Sequence, residues 1–275
     1  MITHTQIPAL RSSLGSVPRP LGFVPTMGAL HDGHLALLRD ARNASATVAA
    51  SVFVNPLQFA AGEDFERYPR DRKGDAEKLA ASGVDVLFAP SAQNMYSSDF
   101  ATSVDVGRVG AGFEGAVRPG HFRGVATVVA KLLNIVQPDV LFVGQKDAQQ
   151  TAVLARMIDD LNFPVALQIL PTVRESDGLA LSSRNTYLSS DERAAAPSLH
   201  TALESFEKSL REGVPKPRAA QEAAAVLRPP GTWDYLDIVS QRTFEPIEAL
   251  TAPAFIIGAA CFGRVRLIDN LWISA

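Results

Sequence analysis

The chain has 275 residues, 47% of them hydrophobic and 20% charged, with a formal net charge of −3. That size supports one large domain or two ordinary ones, and the slight acidity excludes a global basic field that would recruit nucleic acid or anionic lipid. The single cysteine, Cys261, rules out an intrachain disulfide, and its apolar run AFIIGAACF makes it a small core residue, as expected in a reducing cytosol.

The opening stretch MITHTQIPALRSSLGSVPRP lacks the charged-then-apolar pattern of a secretory signal. No apolar run reaches the length of a membrane span, so a soluble cytoplasmic protein is the expectation. After Pro18 short apolar runs alternate with helical spacing. LGFV (21–24) reads as a strand, HLALLRDARNAS (34–45) as a helix and TVAASVFV (47–54) as a strand buried on both faces. Asn55-Pro56-Leu57-Gln58-Phe59 is a break, followed by a polar Gly-Glu-Asp segment at 62–64. DRKGDAEKLAASG predicts a helix closed by Gly83, and VDVLFAP a strand ending at Pro90. Residues 91–120 read as a long, irregular, glycine-rich connection. HFRGVATVVAKLLNIV predicts an apolar helix stopped before Pro138, then DVLFVG a strand, AQQTAVLARMIDDLN a helix and VALQILPTV a strand. This alternation predicts an α/β fold, a Rossmann-like doubly wound parallel sheet, over residues 1–173.

The pattern changes near Arg174. ESDGLALSSRNTYLSS is polar and loop-like, and Ser189 with Glu192 forms a capping box that opens one long alanine-rich helix. VPKPRAAQEAAAVLRPP holds a further helix ended by Pro229-Pro230-Gly231. Two or three strands follow in WDYLDIVS, PAFIIGAACF and GRVRLIDN. Residues 174–275 therefore read as a smaller C-terminal α+β domain.

Chemistry concentrates at the predicted strand ends. The first strand runs through Pro25, Thr26, Met27 and Gly28 into His31-Asp32-Gly33-His34 at a helix start. Unpartnered N–H groups and the positive end of the helix dipole suit an anion there, and Gly33 lets a phosphate approach backbone. The His-x-x-His spacing puts both imidazoles on one side, pointing out of the N-terminal end. Gly144-Gln145-Lys146-Asp147 follows the strand DVLFV; Lys146 suits a phosphate, and Asp147 a ribose hydroxyl or a helix cap. Leu181-Ser182-Ser183-Arg184-Asn185 carries two hydroxyls and a guanidinium fork suited to phosphate oxygens. Asn55, Gln58 and Gln150 border strand ends, where neutral amides suit a small polar substrate. Glu114, Arg118 and His121, in or bordering the glycine-rich connection, receive no role from the pattern.

In this order, PTMGALHDGH, FVNPLQF, RPGHFRGVATVVAKL, GQKDAQQ, LSSRN and the closing VRLIDN closely resemble the pantoate–β-alanine ligase family. That family lies within the nucleotidyltransferase superfamily, which shares its His-x-Gly-His motif with class I aminoacyl-tRNA synthetases. The resemblance implies a nucleotidyltransferase-type sheet with a small C-terminal lid domain. It also implies condensation of pantoate with β-alanine, using ATP and Mg²⁺, through a pantoyl adenylate, in a homodimer that binds neither nucleic acid nor membrane. By motif match, Met27, Gly28, Ala29, Leu30, His31, Asp32, Gly33 and His34 would lie along ATP. Gly144, Gln145, Lys146, Asp147, Val173, Leu181, Ser182, Ser183 and Arg184 would contact it too. His34, His31, Lys146 and Arg184 would be catalytic. Gln58 would bind pantoate and β-alanine, and Gln150, Asn55, Val128 and Val129 would line the pantoate pocket. No side chain is implied as a metal ligand. Gln145, Leu181 and Ala148 depart from the Glu, Met and aromatic residue common in relatives. Two other readings remain open on the residues alone: transfer of a nucleotide to a phosphorylated substrate, and a non-catalytic nucleotide-binding module.

Overall fold

The computed structural model describes residues 1–60 and 65–274; the polar segment at 62–64 lies outside them. The chain divides into two compact units, Met1–Gly144 with Val153–Leu170, and Gln145–Ala152 with Pro171–Ala275.

The first unit carries β1 (Ile2–His4), α1 (Ile7–Leu14), β2 (Leu21–Thr26), α2 (Asp32–Ala44), β3 (Thr47–Val52), α3 (Arg72–Ala81) and β4 (Val86–Phe88). The short helices α4 (Ala92–Met95) and α5 (Glu114–Val117) follow, then α6 (His121–Val136) and β5 (Val140–Gly144). The helix α7 (Ala148–Asp160) begins in the second unit and ends in the first, before β6 (Ala166–Leu170). The sheet order is β1-β4-β3-β2-β5-β6, with every pairing parallel. Strands buried on both faces need apolar residues at every position, which is why β2 and β3 read as continuous apolar runs. Val24, Leu38, Val48, Leu79, Leu87 and Phe142 meet in one core between sheet and helices. The chain winds outward in opposite directions from β2 and β5, so the switch point, where open α/β sheets take ligands, lies at their carboxyl ends.

Two elements were not expected. β1 has only three residues and adds to the sheet edge by backbone pairing with β4, so no hydrophobic period announces it. α1 follows directly, with its Pro at the first turn. The connection at 91–120 is less irregular than expected, holding α4, α5 and a 3-10 turn at Gly107–Gly110.

In the second unit, the helices α8 (Ser190–Ala195), α9 (Ser198–Arg211) and α10 (Lys216–Ala224) precede β7 (Gly231–Ser240), β8 (Ala254–Phe262) and β9 (Val265–Ile273). These strands form one antiparallel sheet in sequence order. The capping box is present, Ser189 N donating to Glu192 Oε2 at 2.8 Å. The helix it opens is short, however, because Pro197 has no N–H to continue the ladder, and α9 starts afresh after it. Leu203, Phe206, Ala219, Ile238 and Ile256 form the core beneath this sheet.

Candidate active site

In the first unit, β2 runs out into a turn with two successive left-handed residues, Gly28 at φ 86° and Ala29 at φ 52°. A non-glycine residue costs about 1–2 kcal/mol in that region, so something must hold it. That group is Asp75 of α3, nearly fully buried, whose two oxygens accept from Ala29 N (2.9 Å) and Leu30 N (2.8 Å). Lys78, one helical turn on, donates to Leu30 O at 2.6 Å. The turn is thus gripped on both its N–H and its C=O sides by one helix.

His31 is the N-cap of α2. Its Nδ1 accepts from Gly33 N at 3.2 Å, and His34 Nδ1 accepts from His31 N at 3.3 Å. The rings lie 4.2 Å apart, centroid to centroid. The two rings stand together at the helix start, and each turns its Nδ1 back onto backbone. A nitrogen that accepts carries no proton, so the network assigns the ring proton of each neutral imidazole to Nε2. Two Nε2–H donors therefore stand at a helix N-terminus. Asp32, the first helical residue, is exposed.

Gln58 belongs to the same unit and is held from three sides. Its Oε1 accepts from Asn55 Nδ2 at 3.1 Å, its Nε2 lies 3.1 Å from Met27 Sδ, and its main-chain oxygen is 2.9 Å from His121 Nδ1. Arg118 Nη2 donates to that same oxygen at 3.4 Å, and Arg118 Nη1 lies 3.1 Å from His121 Nε2. Because Gln58 O can only accept, His121 carries its proton on Nδ1 and receives Arg118 on Nε2. The pattern gave Arg118 and His121 no role; the structure makes them clamps on the Gln58 backbone.

Asn55, buried, caps the 3-10 turn Pro56–Gln58. Its Oδ1 accepts from Leu57 N (3.3 Å) and Tyr96 OH (2.7 Å), while Nδ2 also donates to Gly124 O (3.2 Å). This amide is thus committed within the protein. Burial raises the Tyr96 pKa far above its usual value, so its hydroxyl stays a donor. The turn packs so closely on α6 that a Cβ at Gly124 would overlap Leu57 O. Val128 and Val129 are buried on α6 one turn further along.

Gly144 ends β5. In the second unit, Gln145 Nε2 donates to Asn270 Oδ1 at 3.0 Å, and Asn270 Nδ2 donates to Gln145 O (3.0 Å) and Lys146 O (2.9 Å). β9 thereby fixes the backbone that carries Lys146, whose Nζ lies 3.4 Å from Asp147 Oδ1. Asp147 stands just before α7, and Gln150 lies in its first turn. Val173 accepts from Leu181 N at 3.0 Å, beside an antiparallel bridge between Arg174 and Ala180. Ser182 caps the 3-10 turn Ser183–Tyr187, accepting from Arg184 N at 3.2 Å, and Arg184 is exposed.

The base of that loop rests on a buried ion pair. Arg174 donates through both Nη atoms to Asp269, at 2.7 and 2.9 Å, and His200 Nδ1 is 3.3 Å from the same carboxylate. Burial alone would raise the Asp269 pKa, but the nearby His200 and the bonds and charge of Arg174 outweigh it and hold the carboxyl below its usual value. Arg193 ties Glu175 (2.7 Å) and Asp177 (2.6 Å) into the same loop.

Sequence reasoning missed Asp75, Lys78, Tyr96 and Asn270. Each acts on a residue distant in sequence, so no local spacing marks it. Among the described residues no three His, Cys, Asp or Glu side chains group into a metal site. No helix among them is long and apolar enough to cross a membrane.

The family model described as pantoate-beta-alanine ligase matches residues 2–272. A pantothenate synthetase of Heliobacterium modesticaldum is 52% identical over 256 residues, covering 92% of this chain and 91% of the relative. One from Thermus thermophilus is 50% identical over 275 residues, covering 98% and 99%. A solved pantothenate synthetase from that organism has a TM-score of 0.94 at 49% identity, with both chains wholly covered. A pantoate-beta-alanine ligase from Francisella tularensis, solved with beta-gamma ATP and beta-alanine, has a TM-score of 0.81 at 33% identity, covering 99% of this chain and 97% of that one.

Proposed function

The chain belongs to the pantoate–β-alanine ligase family, and from that premise we propose how its residues carry out the ATP-dependent condensation of pantoate with β-alanine. The reaction runs in two steps. A pantoate carboxylate oxygen attacks the α-phosphorus of ATP and pyrophosphate leaves; the β-alanine amine then attacks the acyl carbon of the pantoyl adenylate and AMP leaves.

The observation that carries this reading is the pair of imidazoles anchored through Nδ1 at the start of α2. In the first step two anions meet and charge gathers on the departing pyrophosphate. Donors fixed beforehand stabilise that charge without reorganising. His31 and His34 supply Nε2–H groups, and the positive end of the α2 dipole lies beside them. Residues 27–34 therefore line the phosphates, with the Asp75 grip keeping their backbone in place. Lys146 and Arg184 bring cationic donors to the same phosphates. Gly144, Gln145, Asp147, Val173, Leu181, Ser182 and Ser183 complete the nucleotide contacts. Gln58 and Gln150 bind pantoate, Gln58 also receives β-alanine, and Val128 and Val129 give the pocket its apolar wall. Asn55 acts by fixing Gln58.

Mg²⁺ would enter with the nucleotide and would supply positive charge against the repulsion between carboxylate and triphosphate; no side chain of this chain is assigned to hold it. The adenylate hydrolyses in water, and we assign its protection to the small C-terminal domain expected over residues 174–275, as a lid. The enzyme works in the cytoplasm as a homodimer; light scattering should give a mass near twice 29.4 kDa, and a monomer would overturn that assignment.

The deciding experiment incubates the protein with ATP, Mg²⁺, pantoate and β-alanine. AMP and pantothenate should appear in equal amounts. Release of ADP, or no AMP, would overturn the reading, and turnover with CTP in place of ATP would redirect it to cytidylyl transfer.

A further inference from the structure

Gln58 has an amide that can present either a carbonyl oxygen or an NH2 group to a ligand, and the two choices select opposite chemistries. Its Oε1 is taken by Asn55 Nδ2, so the NH2 is the face left for a substrate. That NH2 rests on Met27 Sδ, a weak acceptor that a substrate oxygen displaces at little cost. The choice is made one residue further back. Asn55 offers Nδ2 to Gln58 because its own Oδ1 is held by Leu57 N and Tyr96 OH. The bond from Tyr96 is the shorter of the two, 2.7 Å against 3.3 Å.

Tyr96 is itself braced. Its ring meets Phe100 at 4.9 Å and Phe53 at 6.1 Å between centroids, and Lys131 Nζ lies 6.0 Å from the ring. Such a braced ring costs little entropy to aim, so its hydroxyl points at one atom. All of these residues belong to the first unit.

We propose that Tyr96 is a specificity-setting positioning residue: through Asn55 it fixes Gln58 with its NH2 toward the substrate, so that the subsite accepts a group rich in acceptor oxygens, the carboxylate and hydroxyls of pantoate. This rests on Gln58 being a pantoate ligand. The relay passes only orientation; no proton or bond changes hands.

Tyr96→Phe deletes the hydroxyl and keeps the ring. The expected result is a five- to tenfold rise in KM for pantoate, with KM for ATP and kcat within twofold of wild type. Phe100→Leu disturbs the same ring stack without touching the hydroxyl; it should lower the melting temperature and leave KM for pantoate unchanged. Equal rises in both variants, or none in Tyr96→Phe, would overturn the relay. Should Tyr96→Phe not fold, Asn55→Asp reads the next link. A carboxylate there cannot donate to Gln58 Oε1, and the same pantoate-selective rise is expected; its absence overturns the proposal. Gln58→Ala separates the two layers. If it leaves KM for pantoate unchanged, the ligand assignment fails and the relay with it. If it raises that KM while Tyr96→Phe does not, only the relay fails.

Discussion

Replacing Asp75 with Asn tests whether the turn that carries the histidines is held from outside. Both carboxylate oxygens of Asp75 accept backbone N–H groups, from Ala29 and Leu30, in a nearly solvent-free position. Asparagine keeps one acceptor and turns an NH2 toward the other N–H, so one buried donor loses its partner and meets a second donor. Hydrogen bonds to a charged group are worth about 1.5–3 kcal/mol, and an orphaned buried donor costs about 1–3 kcal/mol. The left-handed Ala29, with its cost of about 1–2 kcal/mol, then has less to hold it at φ 52°. We expect D75N to lose about 2–4 kcal/mol of stability in urea titration. We also expect kcat to fall roughly 10–100-fold, because a displacement near 1 Å at the phosphate donors is enough for such a loss. AMP release on protein that remains folded in buffer gives the second number. A variant within ~0.5 kcal/mol of wild type and with unchanged kcat would refute the reasoning, since the two bonds would then hold nothing that matters.

Three further outcomes follow from the same structure. His34→Ala or Lys146→Ala should cut kcat by about 10²–10³ while the fold persists, as removal of a pre-aimed donor does; unchanged turnover would remove that residue from the phosphate site. Gly124→Ala forces a Cβ into Leu57 O; it should destabilise by about 1–3 kcal/mol and raise KM for pantoate by shifting the Gln58 turn, and a neutral variant would show that α6 has room to spare. For Asp269, the folded pKa lies below the usual one, so its contribution is present above the unfolded value, about 3.9, and is lost as pH falls through the folded value. Wild type should therefore lose stability below about pH 4. Asp269→Asn should lose about 3–5 kcal/mol at pH 7 by stranding Arg174 and flatten that acid limb in chemical unfolding at several pH values. An acid limb as steep as wild type would contradict the assignment.

Much of the architecture was legible because it is written in local periods. The continuous apolar runs of β2 and β3 are buried on both faces, as parallel strands require, and the 3.6-residue spacing of α2, α6 and α9 survives in the fold. The Ser189–Glu192 capping box is four residues of sequence and four of structure. The histidine pair was equally visible as a helix-start feature. Its sense was not: spacing brings the rings together, but only coordinates bring both Nδ1 atoms onto backbone N–H groups, which assigns the ring proton to Nε2. β1 was invisible, since a three-residue edge strand is held by backbone bonds to β4 and needs no side-chain pattern.

The sequence by itself determined the alternation of strands and helices, the helix caps and the string of motifs, because each depends on residues within about two turns of one another. Tertiary structure alone decided what holds those motifs in working geometry. Asp75 reaches Ala29 and Leu30, Tyr96 reaches Asn55, Asn270 reaches Gln145 and Lys146, and Asp269 reaches Arg174. In every case a buried polar group must find a partner, and the nearest one in space lies on a different element. That requirement acts on the folded chain and leaves no periodic trace in the sequence.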